Sequence, residues 1–399
     1  MFERSRDNLL KTALFNYVYF DTLTEANNLL GIEIRVEERW YTWPEIQFNQ
    51  ADRNFSAWFQ SRDFSRIVYG LGVSQYNFRG RREKISARFT TGFLNQYVIS
   101  YENIHLDRQQ KHSLNFAAFY FTQHKLEYIT ENNRPKLFES DDIIYRKQNY
   151  FVQYTFRNKL YNTHRLTLGY EHYNINDTVV ALNPEFLGSA KKNTSFLTLV
   201  YSYESDHTDL RYYPLTGSLL KCSFTYSGLF HSDFNKIELR TAYYRFIKLH
   251  NRVYVNAGLK VQLTGHTRIP YIVIVGLGYD DFLRGYENYV VDGYNFLLFR
   301  SSVKYQLIPV KIIKLNFLPL RQFNKIHITS YFNLFFDAGY VHDYYKEYIL
   351  SENNLVDKAL YTCGAGIDVV TYYDKMLRID LARNSLGEFG VFISMERKF

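Results

Sequence analysis

Few residues in this chain stand where they could do covalent chemistry. Across 399 residues there is no G-x-S-x-G elbow, no H-E-x-x-H, no P-loop and no C-x-x-C. The short motifs by which hydrolases, zinc proteases, nucleotide-binding enzymes and thiol oxidoreductases position their reactive groups are therefore missing. The eleven histidines fall at no ligand spacing, and two cysteines, Cys222 and Cys363, are too few and too isolated for a disulfide framework or a zinc site. Both cysteines read as packing residues. The expectation is a protein with no catalytic residue, no metal and no cofactor. One charged residue has an unusual setting: Arg284 lies between Leu283 and Gly285 in GYDDFLRGYENYVVDGYNFLLFRSS, residues 278–302. A guanidinium there can present two parallel donors to one carboxylate, fixing direction as well as distance. Taken alone, an R-G pair in a tyrosine-rich connection reads as an exposed loop.

The elements that must hold such a residue are strands. From about residue 66 onward, short segments alternate apolar and polar residues at period two. In KISARFTTGF, Ile85, Ala87, Phe89 and Phe93 oppose Lys84, Ser86, Arg88 and Thr90. In RVYVNAGLKVQL, Val253, Val255, Ala257, Leu259, Val261 and Leu263 oppose Arg252, Asn256, Lys260 and Gln262. A soluble sandwich also alternates, but several of these segments exceed the ~5–6 residues usual there and reach the ~9–11 that cross a bilayer at a tilt. Tyr and Phe crowd their ends, as interfacial girdles require. The composition agrees, with 37 Tyr and 33 Phe among 18% aromatics beside 22% charged residues. No apolar run approaches the ~18 residues of a spanning helix, which excludes a helical membrane protein and leaves a barrel open.

Counting segments gives about sixteen strands, an even number. They begin near residues 45, 66, 84, 96, 112, 149, 163, 194, 217, 234, 252, 293, 326, 361, 375 and 388. Long connections fall at 123–148, 174–193, 266–292 and 341–359, three after odd-numbered strands and one at an apparently even count. The net charge of +8 is scattered singly and forms no basic block, so no nucleic-acid partner is expected. Cys222 and Cys363 fall on apolar faces about five strands apart and should be free thiols facing lipid.

The first 43 residues differ. SRDNLLKTALFN places Leu9, Leu10, Ala13, Leu14 and Phe15 near one helical face, and NYVYFDTL and GIEIRVEERW follow as two strands. A helix and a hairpin are too little to fold alone. MFERSRDNLLK also lacks the apolar core of a signal peptide, so the expectation is a chain whose front is missing.

Two motifs in this strand context carry a family resemblance. LRGY at Leu283–Tyr286, ahead of the strand-like YNFLLFRSSVKYQL, and FFDAG at Phe335–Gly339 resemble motifs of the BamA/TamA-type outer-membrane assembly and secretion superfamily. The resemblance implies an all-β protein: an antiparallel transmembrane β-barrel of about sixteen strands over residues 44–399, preceded at 1–43 by the truncated end of an α/β POTRA domain. It implies that the loop between the eleventh and twelfth strands folds back inside and that Asp337, on the thirteenth, receives Arg284. Gly285 would allow the tight turn and Gly339 would leave room opposite. DLRYYPLTGSLL, with Asp209, Arg211, Pro214 and Gly217, and NFRGRR from Asn77 match the family's turn patterns and read simply as turns before strands. The match is strong at 276–340 and 388–399 and loose at 50–190.

In EFGVFISMERKF, Val391, Ile393 and Met395 alternate outward and the chain ends on Phe399, similar to the recognition signal of barrels that are themselves inserted. Arg397 departs from the apolar pattern, which costs ~2–4 kcal/mol at mid-depth and little at the bilayer edge. The first strand is short and polar, with only Ile46 and Phe48 on an apolar face, so its seam with the last strand should be the weakest. What the resemblance implies about function is insertion of other outer-membrane proteins through this lateral seam. The alternatives are a two-partner secretion pore, a barrel anchor for a secreted enzyme domain, or a passive pore. The expected partners are outer-membrane lipid, unfolded outer-membrane proteins, and accessory periplasmic or lipoprotein subunits, in the bacterial outer membrane.

Overall fold

A computed structural model describes residues 2–12, 14–25, 29–50, 66–229, 235–266, 269–314, 325–342, 353–371 and 376–394. The chain opens with helix α1 (Phe2–Lys11) and the antiparallel hairpin β1 (Phe15–Glu25) and β2 (Leu29–Glu38). The helix is shorter than its apolar spacing suggests: Leu14 lies beyond it and Phe15 already begins β1. Ala13 lies outside the described residues. Three aromatic residues and a β-branched one in the next six favour extended backbone, which ends the helix early.

Sixteen strands then form one sheet. They are β3 (Thr42–Gln50), β4 (Ile67–Phe78), β5 (Glu83–Gly92), β6 (Leu94–His105), β7 (His112–Gln123), β10 (Tyr145–Asn158), β11 (Asn162–Ile175) and β12 (Asn193–Asp206). The second half is β13 (Gly217–Leu229), β14 (Lys236–His250), β15 (Val253–His266), β16 (Asn295–Lys314), β17 (Lys325–His342), β18 (Leu360–Thr371), β19 (Met376–Asn384) and β20 (Phe389–Ser394). Each pairs antiparallel with the next, except that β7 pairs directly with β10 across a separate hairpin of β8 (Lys125–Glu131) and β9 (Arg134–Glu139). Among the described residues no main-chain pairing joins β3 to β20, so these two strands are the edges of the sheet.

The alternation in sequence becomes two unlike faces. Leu71, Ile99, Leu166, Leu263, Leu334, Ile367 and Leu381 stand exposed on one face, where aromatic side chains also pack across strands with tilted rings, as in Phe89–Tyr97–Tyr120 with ring centroids 4.9 and 6.1 Å apart. Period two sends their neighbours Gln262, Asn333, Asp368 and Asp380 to the inner face, where they are buried. Cys222 and Cys363 are both free; Cys222 stands two residues from the exposed Phe224 on one strand and Cys363 opposite the exposed Phe336, which places both on the outer face. No helix among the described residues is long and apolar enough to cross a membrane, which says nothing about strands.

All four long connections follow odd-numbered strands of the sheet, so the one assigned to an even count is corrected. Two of them have structure of their own. The 123–148 connection contains the β8–β9 hairpin, and 174–193 contains helix α2 (Asp177–Leu182), whose N-cap Asn176 accepts from the Val179 amide at 3.0 Å. These connections share a buried apolar cluster that includes Leu126, Ile144, Val179, Phe186, Ile269 and Tyr271. The opposite end of the sheet carries tight turns. In that at 79–82, Asn77 Oδ1 accepts from the Arg82 amide at 3.0 Å, and Gly80 has φ +69°.

Candidate functional site

The 269–294 connection does not extend away from the sheet. It turns inward and packs Leu277, Leu283, Tyr286 and Val291 against Phe296, Leu298, Val341 and Leu360 of β16, β17 and β18. Two glycines shape this docking. Gly285 has φ +83°, and a Cβ there would stand 2.7 Å from Thr362 Oγ1 and 3.1 Å from Ala382 Cβ. A Cβ on Gly339 would stand 2.5 Å from Leu283 Cδ1. At Gly285 the positive φ and the close sheet atoms favour glycine, and at Gly339 a side chain would push Leu283 out of its seat.

Within this contact Arg284 meets Asp337. The guanidinium donates through Nε to Asp337 Oδ2 at 2.7 Å and through Nη2 to Oδ1 at 2.5 Å. Arg284 is 7% exposed and Asp337 is fully buried. Nη2 also donates to the Ser301 carbonyl at 3.1 Å, and the guanidinium carbon lies 3.9 Å above the centre of the Phe335 ring. A buried ion pair is tolerated only when its remaining donors are satisfied, as these are.

The loop also holds the last strands. Asn384 Nδ2 of β19 donates to the Gly285 carbonyl at 3.1 Å, Tyr286 Oη lies 2.6 Å from Ser385 Oγ, and Tyr289 Oη donates to Glu388 at 2.7 Å. Phe335, under the guanidinium, packs with Ala382 of β19 and Phe392 of β20. Gly364 makes room for that ring, since a Cβ there would stand 2.4 Å from Phe335 Cζ. The loop thus ties β17 to the edge strand β20. Of the other residues singled out at the edges, Ile46, Phe48 and Val391 are 82%, 73% and 61% exposed, values that leave these side chains uncovered by protein. Ile393 is half-buried on β20. Met395 and Phe399 lie outside the described residues, as do Glu396, Arg397 and Lys398.

Glu287 lies in the same loop, outside the strands. Burial pushes its carboxyl up to about 8, and the nearby Asp380 adds to this. A raised carboxyl favours the docked state fully below its ordinary value of 4.5, and that contribution is lost as pH rises through about 8. The thermal unfolding midpoint is expected to fall more steeply over this interval in wild type than in Glu287→Gln. Parallel curves for the two proteins would contradict this.

Sequence reasoning missed a second inward contact. The β12–β13 turn, read only as a turn, is held by Asp209 Oδ1, which accepts from the Leu215 and Thr216 amides at 3.0 and 3.2 Å. It sends Tyr213 inward, where it is 3% exposed. Tyr213 Oη donates to Asp368 Oδ2 of β18 at 2.7 Å, and its ring lies 4.0 Å below Lys304 Nζ of β16. Arg378 Nε of β19 donates to the other oxygen of Asp368 at 2.9 Å. The adjacent tyrosines of DLRYYP were the available signal, but nothing local shows which one turns inward. Tyr213→Phe removes one partner of a fully buried carboxylate and is expected to cost about 1–3 kcal/mol, read as a lowered unfolding midpoint. An unchanged midpoint would make the contact incidental.

Comparison with known proteins adds the lineage. A sequence profile of the Omp85 superfamily domain matches residues 77–298. No curated protein sequence matches the chain. Among solved structures, BamA from Haemophilus ducreyi lacking POTRA domains 1–3 is similar with a TM-score of 0.58 and 15% identity, over 99% of this chain and 76% of that one. CdiB from Escherichia coli gives 0.55 and 11% over 97% and 67%. CdiB from Acinetobacter baumannii gives 0.50 and 12% over 96% and 66%. At these identities the structures share a fold.

Proposed function

This chain belongs to the Omp85 superfamily, and from that premise we propose that it folds and inserts other β-barrel proteins through a lateral seam between β3 and β20. It is an outer-membrane β-barrel protein of the BamA/TamA type. Residues 44–399 are read as the barrel, closed edge to edge in the membrane, and 1–43 as the end of a POTRA domain. Ile32, Ile34 and Val36 of β2 stand exposed, an apolar face that the rest of such a domain would cover.

Strand insertion needs no reactive group. It needs an edge whose amides and carbonyls can pair with an incoming strand, and a frame that keeps the edge in register until it does. The observation that carries this reading is the tie from Arg284 and Asp337, through Phe335, Gly285 and Tyr286, to β19 and β20. It stiffens one side of the seam while β3, with nine residues, offers a short partner on the other. Unfolded outer-membrane proteins are the substrates, and lipid surrounds the apolar face. Accessory periplasmic or lipoprotein subunits would deliver the substrate.

The likeness to CdiB favours a second reading, a two-partner secretion pore threading an unfolded protein through the lumen. Against it, the 269–294 loop and Tyr213 occupy the inner face along β16 to β19 from both ends. The deciding experiment reconstitutes the protein in liposomes and follows the folding of a urea-unfolded outer-membrane barrel. Faster folding supports insertion. Unchanged folding with passage of an unfolded protein into the vesicle supports the pore.

A further inference from the structure

The tight-turn end of the inner face gathers cations that have too few anions. Arg82 lies in the β4–β5 turn, His105 ends β6, Arg157 nears the end of β10, Arg165 is on β11, and Arg211 lies in the β12–β13 turn. The only carboxylate ion-paired with any of these five among the described residues is Glu204. It lies 3.4 Å from Arg165 and 3.9 Å from Arg211. The guanidinium groups of Arg82 and Arg157 make no ion pair or hydrogen bond among the described residues, although both are partly buried. Arg157 is within electrostatic reach of three cations, Arg82, Arg165 and Arg211, and of one carboxylate, the same Glu204. Neither ring nitrogen of His105 has a hydrogen-bond partner among the described residues. Like charges held together in partly desolvated positions raise the free energy of the empty protein, and an anion between them relieves it.

The positive surface continues inward. Arg165 and Glu204 also line a cavity of about 260 Å³ whose wall carries Lys221 of β13, Arg240 of β14 and Lys260 of β15. Lys260 faces Asp281 at 2.5 Å, and Arg240 faces Glu238 at 3.3 Å, whereas Lys221 has no ion pair among the described residues. The free positive charge is therefore strung across several strands, which suits a ligand with several spaced negative charges better than a compact anion.

We propose that this vestibule binds an acidic, extended polypeptide segment at the tight-turn mouth of the barrel. Its identification as the entry side rests on the outer-membrane reading above, but the binding itself does not depend on whether the chain inserts or secretes. Acidic side chains along the segment pair in turn with Arg82 and Arg157 and then with Arg165 and Lys221.

The test uses the whole chain in detergent micelles and a fluorescein-labelled glutamate homopeptide, followed by anisotropy. Binding is expected, weakening as salt rises, with no binding of a lysine homopeptide of the same length. Arg82→Gln and Arg157→Gln are each expected to weaken it about tenfold. Arg211→Gln, on an exposed turn, supplies a variant whose folding is not at stake, and unfolding midpoints check the other two. Inorganic phosphate displacing the peptide at equal charge concentration would reduce the site to an anion patch, and displacement by phosphatidylglycerol vesicles alone would assign it to a lipid headgroup. Absent binding, or affinity unchanged in all three variants while the insertion assay still succeeds, would overturn the site and leave the insertase reading intact.

Discussion

Arg284→Ala is expected to destabilise the docked loop by about 3–5 kcal/mol, because it leaves a fully buried carboxylate without its charged partner. Three readouts should move together. Protease should cut within 283–289, the vesicle-reconstituted protein should conduct ions more freely, and folding of an unfolded barrel client should slow. Arg284→Lys keeps the charge but offers a point contact in place of the fork, so it should fall between the two. The double substitution Arg284→Met with Asp337→Leu separates charge from geometry. Removing both buried charges is expected to return stability to near wild type, yet the loop loses the contact that fixes its direction, so client folding should remain slow. Wild-type behaviour of Arg284→Ala in all three readouts would make the pair a passenger.

Stapling the seam is expected to have the largest effect on function. With Cys222→Ser and Cys363→Ser as background, Ile46→Cys and Val391→Cys place one thiol on each edge strand, on the exposed face. Joining them with a bifunctional thiol reagent should abolish client insertion, and reduction of a cleavable linker should restore it. The staple leaves the inner face and its loop untouched, so ion conductance should change little. A pore that threads its cargo through the lumen would keep working when stapled. The same variant therefore sets the two readings against each other.

Most of the strand framework was legible in the sequence because a sheet with one apolar and one polar face writes itself at period two. Segments such as Val253–His266 have no other way to satisfy both faces. The approach of Arg284 to Asp337 was approachable only through two short motifs, since no periodicity relates residues 53 positions apart. The β8–β9 hairpin, α2 and the inward turn of Tyr213 were not legible. Each is shaped by a cluster assembled from several connections, as Val179 and Phe186 are by Leu126 and Tyr271, and its own residues carry no repeating pattern. Gly364 was silent for the same reason: its smallness matters only because Phe335 of the neighbouring strand lies across it.

The most direct test of the central claim is the folding rate of a urea-unfolded outer-membrane barrel in liposomes that hold this protein with its seam open or stapled. Acceleration by the open form that vanishes on stapling and returns on release is the predicted result. Acceleration that persists with β3 and β20 joined would contradict insertion through the seam.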